Sequence, residues 1–442
     1  MGLTLATVFG AVTIRPYVTG DYAVTSTPIT DDIDGTVDLF DAGVDHRIDV
    51  DIEPAEYQDV IETFEKEGEK DWATATVTID GTVIDDVAVR LKGNSTLISL
   101  RGEVPDAAAA DEARGGAADI VPSLSAEDPT GLPLLLSFDE HASGRAYQGM
   151  TELSIRPGSP GLNESVALEL TAESGQPSQR YTYAVYSVND APTRTRLVLE
   201  NPDEHYAARL GSGQGVLYKV HSGAEFAYRG DDQTAYAEEF TQINAVGTVD
   251  LQPVIRLLHW LDRADDATFT AEFGDWVDIE SLARYSATQN LLANFDNLSG
   301  PGTNGYLYWD LETRKFSVIS WDLNLALIND STAGPHDTID PPFGQDTAAA
   351  ADRPAPRTGN PLQDRFLAAD AFTGVYDSAY RQLYDTVWGS GRAVAVAEQV
   401  GARVPVSDRL SRNDIDAAVR VIAGRLDHRT ESLRTAVAAL GE

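Results

Sequence analysis

From His46 onward, apolar and polar residues alternate in short runs, and the period changes from that of a strand to that of a helix along the chain. HRIDVDIEP, starting at His46, predicts a strand with acidic residues on one face, and Pro54–Lys66 a short amphipathic helix. Trp72–Ile79 and Val83–Leu91 read as strands joined at Asp80–Gly81, a dipeptide suited to a tight hairpin turn. Leu132–Asp139 and part of Tyr147–Ile155 read as further strands. Asn163–Ala172 reads as a helix with Asn163 as its N-cap. Gln179–Val188 and Thr195–Glu200 form a second hairpin about Asn189–Asp190, followed by a short helix over Pro202–Leu210. Residues 233–265 and 278–293 carry helical spacing: Ile255, Leu258 and Leu261 share a face, and Asp278 stands at the second N-terminus. Asn304–Trp309 and Phe316–Trp321 make a third hairpin, and Asn360–Val387 and Asp414–Leu440 are closing helices on which Arg365, Arg381 and Arg429 are expected as surface ion-pair partners. Strands first and helices afterwards predict an α+β fold.

Four stretches interrupt this pattern. Residues 2–14 are an apolar run, shorter than the ~20 residues a membrane-spanning helix needs and without the basic start of a signal peptide. They are read as a remnant of a truncated signal or anchor, with a first strand as the alternative. Residues 19–38, rich in Asp, Thr and Gly, are read as a solvated acidic linker; the DDIDG piece at 31–35 lacks the remaining ligands of a calcium loop. Residues 101–131 read as an inserted loop, and 330–359 as a loop rich in Pro, Asp, Thr and Ala. The expected organisation is an N-terminal segment at 1–38 and one domain at 39–440. That domain divides into a β-rich part, 39–230, and a mainly helical part, 231–440.

A 42% hydrophobic share over 442 residues is that of a globular protein with a sizeable core. Net charge is −37, which argues against nucleic acid and against an anionic membrane surface as partners. Such a surface attracts a basic protein, although it also suits salt adaptation or genomic composition. There is no cysteine, so disulfides, thiolate chemistry and Cys-type zinc sites are excluded, and the seven histidines form no ligand pair. Lysine is confined to Lys66, Lys70, Lys92, Lys219 and Lys315. Where arginine is the default cation, a retained lysine points to a place that needs a compact ammonium, such as a phosphate contact.

Candidate chemistry concentrates in Asn294–Asn324, NFDNLSGPGTNGYLYWDLETRKFSVISWDLN. Pairing the third hairpin about its turn sets Asn304 opposite Trp321, so Asn304 and Asp322 meet at the open end, and Asp296 sits in the loop just before. Mg²⁺ takes hard oxygen ligands, usually one or two carboxylates together with phosphate oxygens. Phosphoryl transfer also needs a carboxylate that orients the acceptor. Asp296 is the candidate base, and Asn304 and Asp322 the candidate metal pair. The alternative is a solvated loop Asp, a turn Asn and a strand-end Asp. KGNST at 92–96 follows a strand and offers backbone N–H groups either for phosphate or for a plain tight turn.

NFD at 294–296, NGYLYWD at 304–310 and SWDL at 320–323 resemble the core of the CotH family, the spore-coat protein H kinases, which are atypical protein kinases. VRLKGNST at 89–96, RLVLE at 196–200 and GVLYK at 215–219 resemble further segments of that family, in the same order. The resemblance implies a kinase-like bilobal domain, ATP as donor, and Mg²⁺ (or Mn²⁺) as metal. It also implies Asp296 as catalytic residue, Asp322 and Asn304 as metal ligands, and Lys219, Lys92 and Glu200 around the nucleotide. Glu200 would pair Lys219 from a neighbouring strand, contact the adenosine side, or only cap the next helix. Two departures stand out: WDLN replaces the family's frequent WDLD, with Asn324 in the last place, and Leu132–Pro133 stand where the family has a basic residue. The implied function is phosphorylation of Ser/Thr in a secreted or cell-envelope protein, and a basic, Ser/Thr-rich protein is the expected kind of partner. The alternatives are a non-catalytic surface scaffold that keeps the fold, or nucleotidyl transfer from ATP to a protein.

Overall fold

In His46–Ile52 every second residue is buried, and the same alternation runs through Ala73–Ile79. Strands of this kind need a second surface for their apolar face, and here the sheet supplies it by closing on itself. The computed structural model describes residue 24 and residues 26–93, 95–101, 124–328, 330–340 and 359–440. The apolar run 2–14, most of 101–131 and most of 330–359 lie outside these residues.

The strands are β1 (Asp31–Ile33), β2 (His46–Ile52), β3 (Ala73–Ile79), β4 (Thr82–Leu91), β5 (Leu134–Ser137), β6 (Arg145–Tyr147), β7 (Glu152–Ile155), β8 (Tyr181–Val188), β9 (Arg194–Glu200), β10 (Gly215–Val220), β11 (Phe240–Gln242), β12 (Tyr306–Asp310) and β13 (Phe316–Ile319). A closed barrel runs β2-β3-β4-β5-β7-β9-β8 and is sealed by the parallel pair β2–β8. Its interior is filled by Ile48, Val50, Val77, Ile79, Leu136, Leu153 and Val198 among others. Within the stretch read as a linker, β1 pairs in parallel with β6, so that part of it is structured.

The second sheet runs β11-β10-β12-β13. Val216, Tyr218, Val220, Leu307, Phe316 and Val318 face a core shared with the helices 252–263, 266–276, 279–291, 361–368, 370–383, 392–403 and 412–439. Leu217, Tyr306, Tyr308, Ile319 and Trp321 lie on the opposite face. The fold is thus α+β, with a strand-rich N-terminal part and a helical C-terminal part.

Three local readings are corrected. Phe240–Gln242, inside the stretch read as helix, is the edge strand of the second sheet, where three residues gain ladder bonds to β10. Asn163 is not an N-cap: the helix starts at Leu162 behind Gly161, whose φ of 65° suits glycine, and the Asn163 side chain reaches elsewhere. Arg429 is not a surface ion-pair partner; it is buried and donates to the main-chain and side-chain oxygens of Asn290 (3.0 and 2.8 Å). Those carbonyls near a helix end need donors, and a buried guanidinium needs acceptors.

Candidate active site

The helix Ile279–Leu291, capped by Asp278 accepting from the Ser281 N–H (3.0 Å), delivers the chain into a tight loop. Side-chain amides staple that loop. Buried Asn294 donates to Gln289 Oε1 (2.7 Å) and accepts from the Asp296 N–H (3.1 Å). Asn297 donates to the Asn294 carbonyl (2.8 Å) and accepts from the Ser299 N–H (2.9 Å). Asparagine serves here because one side chain supplies both a donor and an acceptor.

Asp296 accepts from the Gly302 N–H (2.6 Å) and from Asn304 Nδ2 (2.9 Å). Burial pushes its pKa up to about 6, and the nearby Asp322 charge adds to this, while the two donors pull it back. Gly302 has a steric reason to be glycine: a Cβ there would stand 2.7 Å from Asn304 Nδ2 and 2.8 Å from both Asp296 carboxylate oxygens. Gly302→Ala is therefore expected to displace Asp296 and lower turnover by about 10²-fold, as ~1 Å misplacements do. A turnover within threefold of the unmodified protein would remove that steric argument.

The hairpin register places Tyr306 with Ile319, which carried two residues further sets Asn304 opposite Trp321 as expected. Asn304 spends its amide nitrogen on Asp296, leaving its carbonyl oxygen as the end that could hold a cation. Asp322 follows with a left-handed backbone (φ 56°, ψ 59°), a conformation that Asp tolerates better than most residues. Arg156 Nη2 contacts Asp322 Oδ1, and the Asp322 side chain remains 31% exposed. Asn324, the departure from WDLD, offers its main-chain carbonyl to Asn163 Nδ2 (2.5 Å).

Lys219 on β10 pairs with Tyr306 on β12, and strand parity puts it on the Trp321 face. Its ammonium lies 5.9 Å from the centre of the Trp321 ring, and that of Lys92, at the end of β4, lies 5.4 Å from it. Burial lowers the pKa of both lysines. Glu152 and Asp322 oppose that lowering, and the Lys219 charge adds to it at Lys92. Two crowded, partly desolvated ammoniums are groups that could bind a polyphosphate. The cradle read at 92–96 includes Asn94, which lies outside the described residues.

Glu200 is not the partner of Lys219. Its strand belongs to the barrel and that of Lys219 to the second sheet; Glu200 instead binds Arg180 Nε (2.8 Å) and Arg209 Nη2 (2.5 Å). Besides Asp322, the carboxylate beside the lysines is Glu152, which accepts from Asn201 Nδ2 (2.5 Å), while Lys92 donates to Asn201 Oδ1. Glu152, Asn201 and Arg156 were absent from the sequence reading. Their one signal there was polar residues at the ends of apolar strands. Among the described residues no three Asp, Glu or His cluster as a metal cage. One carboxylate and one amide, Asp322 and Asn304, could supply the sparse protein share of a Mg²⁺ site completed by phosphate.

The chain is similar to inner spore coat protein H of Bacillus subtilis (strain 168), 24% identical over 290 residues, which span 62% of this chain and 74% of that protein. Residues 159–399 match the family described as CotH kinase protein. That stretch contains Lys219, Asp296, Asn304 and Asp322, whereas Lys92, Glu152 and Arg156 precede it. With more than half of its length matched, the chain belongs to the CotH kinase family.

Proposed function

We propose that this protein transfers the γ-phosphoryl group of ATP to Ser/Thr hydroxyls of a secreted or cell-envelope protein. Membership in the CotH kinase family implies an ATP-using atypical kinase. The observation that carries the finer reading is the convergence of Asp296, Asn304 and Asp322 with two lysines at one end of one sheet face.

Lys92 and Lys219 bind the phosphates, whose charge restores a favourable setting for both ammoniums. Asp296 orients the acceptor hydroxyl and takes its proton as the acceptor oxygen bonds to the γ-phosphorus. The bond from that phosphorus to the β–γ bridging oxygen breaks, and ADP leaves. Asp322 and the Asn304 carbonyl would hold Mg²⁺ or Mn²⁺, which when bound neutralises phosphate charge. The protein's own contribution is otherwise positioning in a partly desolvated site.

The acceptor's compartment is supported by the spore-coat relative. No helix among the described residues is long and apolar enough to cross a membrane. The net charge of −37 favours an acceptor carrying Lys and Arg, an attraction that salt screens.

The test is incubation with Mg²⁺, a casein-type acceptor and ATP labelled separately at the γ- and α-phosphates, beside Asp296→Ala. Acceptor labelling from γ alone, lost in the variant, is expected. Labelling from α would replace the proposal with nucleotidyl transfer. Absence of both label and ATP binding would replace it with a non-catalytic scaffold.

A further inference from the structure

Arg156, just past β7, is 5% exposed, and a guanidinium taken out of water is strongly destabilising unless its charge is met. Glu164, in the first turn of the helix Leu162–Glu173 and 2% exposed, meets it with a fork: Arg156 Nε lies 2.9 and 3.0 Å from the two carboxylate oxygens, and Nη2 lies 2.8 Å from Oε1. Charge balance is complete with that pair. Arg156 nevertheless turns Nη2 onto a second carboxylate, Asp322 Oδ1, which belongs to the other part of the fold. Its position is fixed from behind as well, because fully buried Arg196 donates through Nε to the Arg156 carbonyl (2.9 Å).

The same helix grips the chain beyond Asp322. Asn163 Nδ2 donates to the carbonyls of Asn324 (2.5 Å) and Ala326 (3.1 Å), across the short turn Leu323–Leu325. Asp322 sits between these two holds with its backbone in the left-handed region. A residue in that conformation persists when its surroundings over-determine it.

We propose that Arg156, anchored by Glu164, is a positioning residue that turns Asp322 into a one-oxygen metal ligand. This rests on the reading of Asp322 as a ligand. Arg156 occupies Oδ1, so Oδ2 is the oxygen presented to the site. A carboxylate held to one oxygen suits Mg²⁺ and Mn²⁺, which keep near-octahedral geometry, whereas Ca²⁺ readily takes both oxygens of a mobile carboxylate. Arg156 lies just before the stretch matched to the family, whereas Glu164 and Asp322 lie within it.

Two variants separate positioning from charge balance. Arg156→Lys keeps the charge and loses the planar fork. Arg156→Met with Glu164→Gln removes the pair together and leaves no unpaired buried charge. Binding of Mn²⁺ in the presence of a non-hydrolysable ATP analogue is read by electron paramagnetic resonance, with Ca²⁺ as competitor and thermal melting as the fold control. Both variants are expected to melt as cooperative folded proteins, to bind Mn²⁺ about 10–100-fold more weakly, and to lose discrimination against Ca²⁺. Mn²⁺ affinity and Ca²⁺ discrimination equal to those of the unmodified protein in either folded variant would overturn the positioning role. Asp322→Asn in the same assay keeps the two questions apart. Undiminished Mn²⁺ binding there defeats the metal assignment itself, whereas binding lost in Asp322→Asn and kept in the Arg156 variants defeats only the brace.

Discussion

Asp296→Asn is expected to slow phosphoryl transfer by about 10²–10⁴-fold, the usual worth of a positioned general base. Its melting temperature near neutral pH should stay at or above that of the unmodified protein. Both outcomes have one cause. Burial makes ionised Asp296 unfavourable, with its pKa raised to about 6, so the native state binds this proton more tightly than the unfolded chain does. Stability from that source is fully present below the ordinary carboxylate range and is lost as pH rises to about 6. Asparagine carries no such charge and can still accept from the Gly302 N–H. The base, in contrast, works only when ionised, so turnover should fall as pH drops below about 6. Rate profiles and melting curves across that range read the two effects separately. An acidic limb that persists unchanged in Asp296→Asn would assign the titration to another group.

Asp322→Asn is expected to reduce turnover by at least about 10²–10³-fold, the scale of removing one electrostatic element from an active site, with the fold retained. Asparagine tolerates the left-handed backbone that Asp322 adopts, and its carbonyl can still accept from Arg156, whose charge Glu164 continues to balance. What disappears is the anionic oxygen offered to a metal. The two carboxylate variants should therefore fail differently: Asp296→Asn keeps Mg²⁺-dependent ATP binding, and Asp322→Asn loses it. Titration of nucleotide binding with and without Mg²⁺ distinguishes them. Retained Mg²⁺-dependent binding in Asp322→Asn, together with near-normal turnover, would remove Asp322 from the metal site.

The elements that followed local rules were legible in the sequence. The helix predicted at Pro54–Lys66 lies at Pro54–Glu67, and the strand pairs about Asp80–Gly81 and Asn189–Asp190 are present within a residue or two of their expected ends. In the third hairpin, alternation and turn length alone fixed the register that sets Asn304 opposite Trp321. Where readings failed, a longer-range partner outweighed the local signal. Asn163 has the chemistry of an N-cap, but the carbonyls of Asn324 and Ala326 claimed its amide. Arg429 has the look of a surface cation on a polar helix, but Asn290 lies beneath it.

The sequence by itself determined the α+β class, the order of most strands and helices, and the local placement of Asp296, Asn304 and Asp322 around one hairpin. Each of these depends on side-chain periodicity or on neighbours a few residues away, which the chain states directly. Only the tertiary structure decided that the strand-rich part closes as a barrel, that Glu200 serves two arginines, and that Glu152 and Arg156 stand beside the lysines and Asp322. Charges removed from water must be met by opposite charge or hydrogen bonds wherever the packed chain brings them. That pairing is settled between segments more than a hundred residues apart, as it is for Arg156 and Asp322, and no local period encodes it.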